Sequence, residues 1–319
     1  MGVGGGAMAR LPRMYLENGL YFVTARTFQS RFLLTPGPRV NEVLAGVLAK
    51  AAATVGVQLH AYVSLSNHVH LLVTARGNSL SRFMQYFLGN ASEKVGLLVD
   101  WKGSLWQRRF SAEPVLDDEA AVGRLRYLLE HGVKEGLVRT PEEWPGLSCL
   151  SLLRSEAAKM VRFFHWARRW RKGKLVEGGE DAWNERWAEE VPLKLVPLPC
   201  WAHLSFEERQ GKLSSLLEDI ALQWAPRHEE VKGAQAVCEE DAHRKPLRTK
   251  KSPRPLCHVS TREGFRLFRE SLRAWVAAFA EASARFRQGQ WHVEFPPWAF
   301  RPPVPFQYQE GAQYQVCGT

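Results

Sequence analysis

The hydrophobic and polar positions of the first half of the chain alternate between strand and helix periodicity. Leu20–Arg26 is rich in aromatic and β-branched residues and follows a turn, so it predicts a strand. Apolar residues from Val40 to Ala51 then recur at helical spacing. This pattern predicts a helix that begins after the Pro- and Gly-rich residues 35–38 and ends at Gly56.

Two further strands follow in immediate succession and predict a β-hairpin. Val57–Ser64 alternates apolar and polar positions, and Ser64–Val73 contains His68 and His70 separated by one valine. Side chains at positions i and i+2 of a strand project from the same face. The two imidazoles can therefore reach one metal ion together, although ordinary strand histidines are the more common reason for such a pair.

The pattern continues with a helix over about residues 80–96, extended pieces at 103–110 and 112–116, and a third helix. Asp117, Asp118 and Glu119 place acidic charge at the start of this third helix, where the helix dipole favours it. Gly132 or Gly136 ends it. The order strand–helix–strand–strand–helix–strand predicts an α+β fold of the ferredoxin-like split βαβ type. We expect an antiparallel sheet with helices on one face and the other face open to a ligand.

The second half of the chain is basic and is predicted to form a mainly helical extension. We expect a domain over residues 1–155, a basic aromatic helical region over 156–225, a basic linker over 226–259, and a long helix with a Pro-rich tail over 260–319. Arg168 and Arg169 lie in a segment where basic and aromatic residues alternate. This pattern is typical of a segment that binds single-stranded or hairpin DNA, or of an amphipathic helix whose basic side chains extend past its apolar face to solvent. Lys250 and Lys251 lie in a cationic, Pro-containing run that either follows a phosphate backbone or is a solvated tether.

The composition favours a nucleic-acid partner. The 319 residues carry a net charge of +10 and include 12 Trp and 16 Phe, and cations and rings are the groups that meet phosphates and bases. A basic protein without such a partner is about equally consistent with charge alone. Five scattered cysteines without a Cys-x-x-Cys motif indicate a reducing compartment. No signal peptide or continuous apolar run of membrane-spanning length is found, so the expected location is the cytoplasm of a bacterium, away from membranes.

Four ordered motifs in residues 10–155 resemble those of a known family. The chain is similar to single-tyrosine HUH transposases, and most of all to the REP-associated tyrosine transposases, which are related to small insertion-sequence transposases. The matching segments are Ser66-Asn67-His68-Val69-His70-Leu71, Gly103-Ser104-Leu105-Trp106-Gln107-Arg108-Arg109-Phe110, Arg126-Tyr127 through Gly136-Leu137-Val138, and Trp144-Pro145 followed by Ser148.

The resemblance implies a role for each matching residue. His68 and His70 would ligate a divalent metal ion, Mg²⁺ or Mn²⁺, and Tyr127 would be the nucleophile that forms a phosphotyrosyl-DNA intermediate. The chain departs from the family four residues after the tyrosine, where His131 replaces an Asn or Gln. His131 is either a third nitrogen ligand, which would favour Mn²⁺ or Zn²⁺, or a sign that the site has drifted. Tyr86 is the rival nucleophile, but it adjoins an apolar stripe and is expected to pack.

Further residues are candidates for contact with DNA. Arg26, Gln107 and Arg109 would contact it from the sheet side, whereas Trp106 and Phe110 are expected in the core. The implied partner is single-stranded or hairpin DNA. The family often works as a homodimer, but no segment of this chain signals a dimer interface.

Three functions remain open at this point. The first is a transposase that cleaves and rejoins single-stranded DNA through a 5′-phosphotyrosine. The second is a domesticated, non-catalytic protein that keeps the fold to bind structured DNA or RNA. The third and weaker one is a metal-dependent hydrolase that uses water and never traps covalent DNA.

Overall fold

A four-stranded antiparallel sheet forms the centre of the fold. The computed structural model describes residues 12–166, 187–247 and 255–304. The sheet has the order β2-β3-β1-β4. Its strands are β1 (Asn18–Arg26), β2 (Gln58–Leu65), β3 (His68–Arg76) and β4 (Ser111–Val115). This is the predicted ferredoxin-like order, in which the hairpin places β3 centrally and β2 at one edge.

Two helices cover one face of this sheet. They are α1 (Pro38–Val55) and α2 (Ser79–Leu98), and Gly56 ends α1 in a left-handed conformation with φ of 77°. Val69 and Leu71 of β3 point to this side, where they line one small cavity together with Leu44 and Phe87. The apolar positions of the histidine strand therefore form the core, as the alternation predicted.

The third helix, α3 (Asp118–Lys134), lies against the opposite face, which contains His68 and His70. The side chain of Asp117 caps its first turn by accepting a hydrogen bond from Ala120 N at 2.8 Å. The predicted α+β class with an antiparallel sheet is confirmed. The other face of the sheet was expected to be open. It is covered in part by α3, because Tyr127 and His131 of this helix contact the two histidines.

The segment 103–110 differs from its prediction as an extended piece. It forms bends and one isolated bridge, between Trp106 and Thr27, and only Leu105 and Phe110 within it are buried. The expectation that Phe110 lies in the core is confirmed, whereas Trp106 is half-buried and donates its indole N–H to Leu88 O at 2.9 Å. The bridge lies one residue beyond the end of β1 at Arg26.

The extension contains both strands and helices. Its elements are α4 (Leu150–Leu153), β5 (Lys159–Phe164), β6 (Ala188–Leu193), α5 (Phe206–Trp224), α6 (Ala234–Cys238) and α7 (Arg262–Arg287). The prediction that the region around residue 160 is helical is wrong for 159–164, because these residues pair antiparallel with β6. The backbone of this hairpin packs closely on α1, where Gly46 leaves room for Arg162 O. The predicted capping box of Ser205 and Glu208 opens α5.

Part of the predicted linker returns to the sheet domain instead of standing free. Lys232 N donates to Gly136 O, Phe32 N donates to Arg244 O, and a parallel bridge joins His258 to Val115 of β4. Residues 167–186 and 248–254 lie outside the described residues, and with them Arg168, Arg169, Lys250 and Lys251. The predictions for these four cations therefore stay predictions.

The chain divides into two compact units. One is Leu16–Arg269, and the other combines the N-terminal residues through Tyr15 with the C-terminal residues from Glu270. The second unit has an aromatic cluster of its own, in which Phe286 contacts Trp291 and Phe295 at centroid distances of 5.1 and 5.9 Å. The domain boundaries expected from the sequence remain predictions. Within the described ranges, no helix is long and apolar enough to span a membrane.

Candidate active site

Three buried histidines meet between the sheet and α3. His68 and His70 come from β3 and His131 from α3, and one nitrogen of each lies within 4.8 Å of the others. The Nε2 atoms of His68 and His131 are 3.2 Å apart. Within the parts of the chain that the structure describes, this is the only group of three metal-ligating side chains. His131, the residue at which the chain departs from the family motif, therefore joins the predicted pair of His68 and His70.

Neighbouring polar groups fix the orientation of the two strand histidines. Asn67 Nδ2 donates to Ser30 O at 3.3 Å, which leaves its Oδ1 to accept a hydrogen bond from His68 Nδ1 at 2.6 Å. The proton of His68 therefore sits on Nδ1, and its Nε2 lone pair points toward His131. Thr24 Oγ1 lies 2.8 Å from His70 Nδ1 and is able to accept its proton in the same way. Such partners are typical of metal-binding histidines.

The donor set fits a divalent metal ion. His70 Nε2 is buried and has no hydrogen-bond partner in the structure, which is costly unless a ligand occupies it. Burial, followed by the charges of His131, Arg26 and Arg124, holds the pKa of His70 well below its usual value. The pKa of His68 is lowered in the same way, first by burial and then by the charges of its neighbours. Neutral imidazoles are the form that binds metal.

Tyr127 stands at the edge of this triad. It lies one helical turn before His131 on α3, and the two rings are 5.0 Å apart between centroids. The ring is also edge-on to His70 at 5.5 Å and to Phe22 at 5.7 Å. Burial raises the pKa of the Tyr127 hydroxyl, and the charges of Arg124 and Arg26 act against this increase. The half-buried phenol is thus placed beside the candidate metal ligands and among positive charges.

Lysine and arginine side chains surround the tyrosine ring. The guanidinium carbon of Arg124 and the ammonium of Lys134 each lie 5.0 Å from the ring centroid. Arg26 is paired with His68 across β1 and β3, so both side chains belong to the face of the sheet that contains the site. The site therefore combines imidazoles, one phenol and permanent cations, which suits a negatively charged ligand.

The other predicted residues lie at varying distances from the site. Gln107 and Arg109 are exposed, and Gln107 N donates to Arg26 O, which connects this segment to the end of β1. Tyr86 lies on α2 and packs toward Phe163 with 6.4 Å between centroids, on the far side of the sheet from the histidines. The expectation that Tyr86 packs is therefore met.

Sequence reasoning missed several residues of the site. Thr24 and Arg124 adjoin the triad and its tyrosine, and His258 packs edge-on against Phe22 at 5.5 Å. The sequence placed Thr24 in a strand but gave no indication of its neighbour. The register of β1 against β3 is what puts Thr24 opposite His70. His258 comes from the linker and carries no local signal.

The extension supports the helix that carries Tyr127. Trp224 at the end of α5 donates its indole N–H to the buried carboxylate of Glu130 at 3.2 Å. Glu130 also pairs with Arg126 and Lys134, at 3.6 and 3.7 Å. The face of α3 away from the histidines is therefore fixed by the second half of the chain.

Fold and site together define a class of protein. It is an α+β domain in which three imidazoles and one tyrosine gather on one face of a four-stranded antiparallel sheet, with the tyrosine on the helix that follows β4.

Comparison with known proteins agrees with this class. Residues 21–127 match the family described as "Transposase IS200 like", which covers about a third of the chain. This segment is therefore transposase-like, and the family resemblance seen in the motifs is confirmed for it. No curated protein matches the chain.

Two solved structures are similar to parts of the chain. One is described as the structure of a REP-associated tyrosine transposase bound to a REP hairpin, with 22% identity, a TM-score of 0.37, and coverage of 45% of this chain and 84% of that one. The other is a putative transposase from Deinococcus radiodurans R1, with 19% identity, a TM-score of 0.28, and coverage of 39% and 97%.

Proposed function

We propose that this protein cleaves and rejoins single-stranded DNA through a covalent bond to Tyr127. The observation that carries the proposal is the contact of the Tyr127 ring with His70 and His131, two of the three imidazoles that could hold one ion. A nucleophile next to a metal-ligand cluster is the arrangement that phosphoryl transfer needs.

In the proposed reaction, the Tyr127 oxygen attacks the phosphorus of a phosphodiester. A bond forms between the phenolic oxygen and phosphorus, and the bond from phosphorus to the 3′ oxygen breaks. The phenol proton is lost to solvent and the leaving oxygen takes one up, so the products are a 5′-phosphotyrosine and a free 3′-hydroxyl. The number of phosphoester bonds is unchanged, and a 3′-hydroxyl can therefore reverse the step without ATP.

His68, His70 and His131 would hold the divalent cation, for which Mg²⁺ or Mn²⁺ is the expectation. When bound, the cation would polarise the scissile phosphate and favour attack on it. Three nitrogen donors suit Mn²⁺ or Zn²⁺ better than Mg²⁺, which prefers oxygen. The residue at position 131 would thus change the preferred metal without removing the site.

The chain's own cations would bind and orient the DNA. Arg26 adjoins the triad, and Gln107 N donates to Arg26 O at the end of β1; the exposed side chains of Gln107 and Arg109 would contact the strand from this segment. Arg168, Arg169, Lys250 and Lys251 are proposed to contact DNA further away, on the evidence of their sequence context alone. The partner would be single-stranded or hairpin DNA, and a homodimer remains a further proposal.

The experiment that tests this function is the capture of a covalent adduct. The full chain is mixed with Mn²⁺ or Mg²⁺ and labelled single-stranded oligonucleotides that contain hairpins, and products are separated under denaturing conditions. We expect an SDS-resistant adduct that disappears with chelator and with Tyr127→Phe. Tyr86→Phe is the matched control, because Tyr86 lies on the far side of the sheet, and it should leave the adduct intact. An adduct that survives Tyr127→Phe would refute the mechanism.

A second candidate is a non-catalytic nucleic-acid-binding protein. The replacement of the family's Asn or Gln by His131 is the observation that favours it. This protein would bind hairpin DNA or RNA with an affinity that falls steeply with salt, and neither chelator nor His68→Ala would change that affinity.

A further inference from the structure

Arg124 lies in the middle of the aromatic cluster around the candidate nucleophile. It precedes Tyr127 by three residues on α3, so the two side chains share one face of the helix. Its guanidinium carbon is 5.0 Å from the Tyr127 ring centroid and 5.6 Å from that of Phe22. These rings hold the guanidinium by cation–π contact and leave its N–H groups able to bind a ligand.

Arg26 supplies a second guanidinium from a different element. It is the last residue of β1 and is paired with His68 across the sheet. Both arginines are half-buried, and in each case burial is the main cause that lowers the pKa of the guanidinium. The charges of both arginines act on Tyr127. Positive charges from two separate elements, β1 and α3, therefore act on the Tyr127 hydroxyl.

Neither guanidinium has a carboxylate in direct contact among the residues that the structure describes. In residues 12–166, 187–247 and 255–304, no carboxylate forms an ion pair with Arg26 or Arg124. Glu113 and Glu130 act on Arg124 only at longer range. A partly buried cation without a carboxylate in contact is costly, and an anionic ligand would reduce this cost.

Some arginines of the same unit do have carboxylate partners. Arg126, only two residues further along α3, contacts Glu130 and Asp219, and Arg209 contacts Glu156 at 2.8 Å. Arg124 and Arg126 thus lie on the same helix, yet within the described residues only Arg126 has a carboxylate in contact. A planar guanidinium with several N–H donors matches the oxygens of a phosphodiester.

We propose that Arg124 and Arg26 together bind the phosphodiester that faces Tyr127. This inference rests on the proposed function, because it places the ligand at the same site, and it adds Arg124 as a residue that contacts the nucleic acid. The ligand class is a phosphodiester of single-stranded DNA.

The test is the salt dependence of DNA binding without chemistry. A labelled hairpin-containing single-stranded oligonucleotide is titrated with the Tyr127→Phe protein in EDTA at several salt concentrations, and anisotropy gives the affinity. We expect Arg124→Ala to weaken binding about tenfold or more. The slope of log affinity against log salt should fall by about 0.7 for the lost phosphate contact. Arg124→Lys keeps the charge and should keep the slope while losing part of the affinity.

Arg82→Ala is the matched control, since Arg82 is an exposed arginine on α2, on the other face of the sheet. This substitution also removes one positive charge, but it should change the salt slope and the affinity less than Arg124→Ala does. Thermal unfolding identifies variants that fail to fold, and Arg124→Lys then decides the question.

An unchanged slope in the Arg26→Ala/Arg124→Ala protein, or an equal fall with Arg82→Ala, overturns the inference. If the slope falls but no covalent adduct forms in the capture experiment, the phosphate site stands and the proposed reaction fails. If an adduct forms but the slope is unchanged, the proposed reaction stands and the phosphate site fails.

Discussion

The Nε2 atoms of His68 and His131 lie 3.2 Å apart, although 63 positions separate the two residues along the chain. Two nitrogens that bind one ion at about 2.1 Å each are separated by about 3.0–3.4 Å for angles between octahedral and tetrahedral. The observed distance is within this range. The sheet and α3 therefore place two imidazoles at a spacing suited to a shared cation, before any ion binds.

The first prediction concerns His131 as a ligand. His131→Ala should weaken Mn²⁺ binding by at least about tenfold, because one of three nitrogen donors is lost. Isothermal titration calorimetry measures the affinity. His131→Asn restores the kind of residue that the family has there and should recover part of the binding. His203→Ala, which removes an exposed histidine, serves as the control. If His131→Ala binds Mn²⁺ as tightly as the parent protein, His131 is not a ligand.

The second prediction concerns the group that orients His70. Thr24→Val removes the hydroxyl that lies 2.8 Å from His70 Nδ1 but keeps the shape of the side chain. We expect Mn²⁺ affinity to fall by about 10- to 100-fold, as is typical when a hydrogen-bond partner of a ligating histidine is removed. Thr54→Val is the control, because the hydroxyl of this exposed threonine on α1 donates to Lys50 O and lies on the other face of the sheet from the histidines. Equal effects of the two substitutions would argue against an orienting role for Thr24.

The third prediction concerns the contact between the extension and α1. A Cβ atom at Gly46 would lie 1.9 Å from Arg162 O, which belongs to the backbone of β5 and cannot rotate away. Gly46→Ala should therefore lower the free energy of unfolding by about 2–3 kcal/mol. Gly89→Ala, at a helical position with open space, should raise it by about 0.5–1 kcal/mol. Urea denaturation measures both. A neutral Gly46→Ala would show that β5 does not pack on α1 in solution.

The fourth prediction concerns pH and His258. Burial, with a smaller contribution from the charge of Arg124, lowers the pKa of His258 to about 4. The unfolded chain has the ordinary histidine pKa of about 6.5, so it takes up the proton first as pH falls. The stability that depends on neutral His258 is therefore complete above about pH 6.5 and is lost as pH falls toward 4.

His258→Gln should accordingly show a smaller fall in melting temperature between pH 7 and pH 5 than the parent protein. His68 and His70, whose pKa values are also lowered, contribute equally to both proteins and cancel in the comparison. His203→Gln, an exposed position, should leave the fall unchanged. If His258→Gln and the parent lose the same stability, His258 is not packed against Phe22 as the structure has it.

Local patterning was sufficient for most of the sheet domain. The alternation in Ser64–Val73 predicted both the strand and the shared face of its two histidines, because side-chain direction in a strand has a period of two. The spacing of Tyr127 and His131 placed them on one face of a helix for the same kind of reason. The error at Lys159–Phe164 arose because a strand in a hairpin depends on its partner, and β6 lies beyond a long insertion.

The sequence by itself determined the order of elements, the fold class and the identity of the chemical groups, since each depends on residues close together in the chain. Only the tertiary structure decided that His131 meets His68, that Thr24 supports His70, and that the extension fixes α3 through Trp224 and Glu130. These contacts join residues from separate elements, and their distances depend on strand register and on which face of the sheet a helix covers. Arg124 is the clearest case: its lack of a carboxylate partner within the described ranges depends on every neighbour that packs around it.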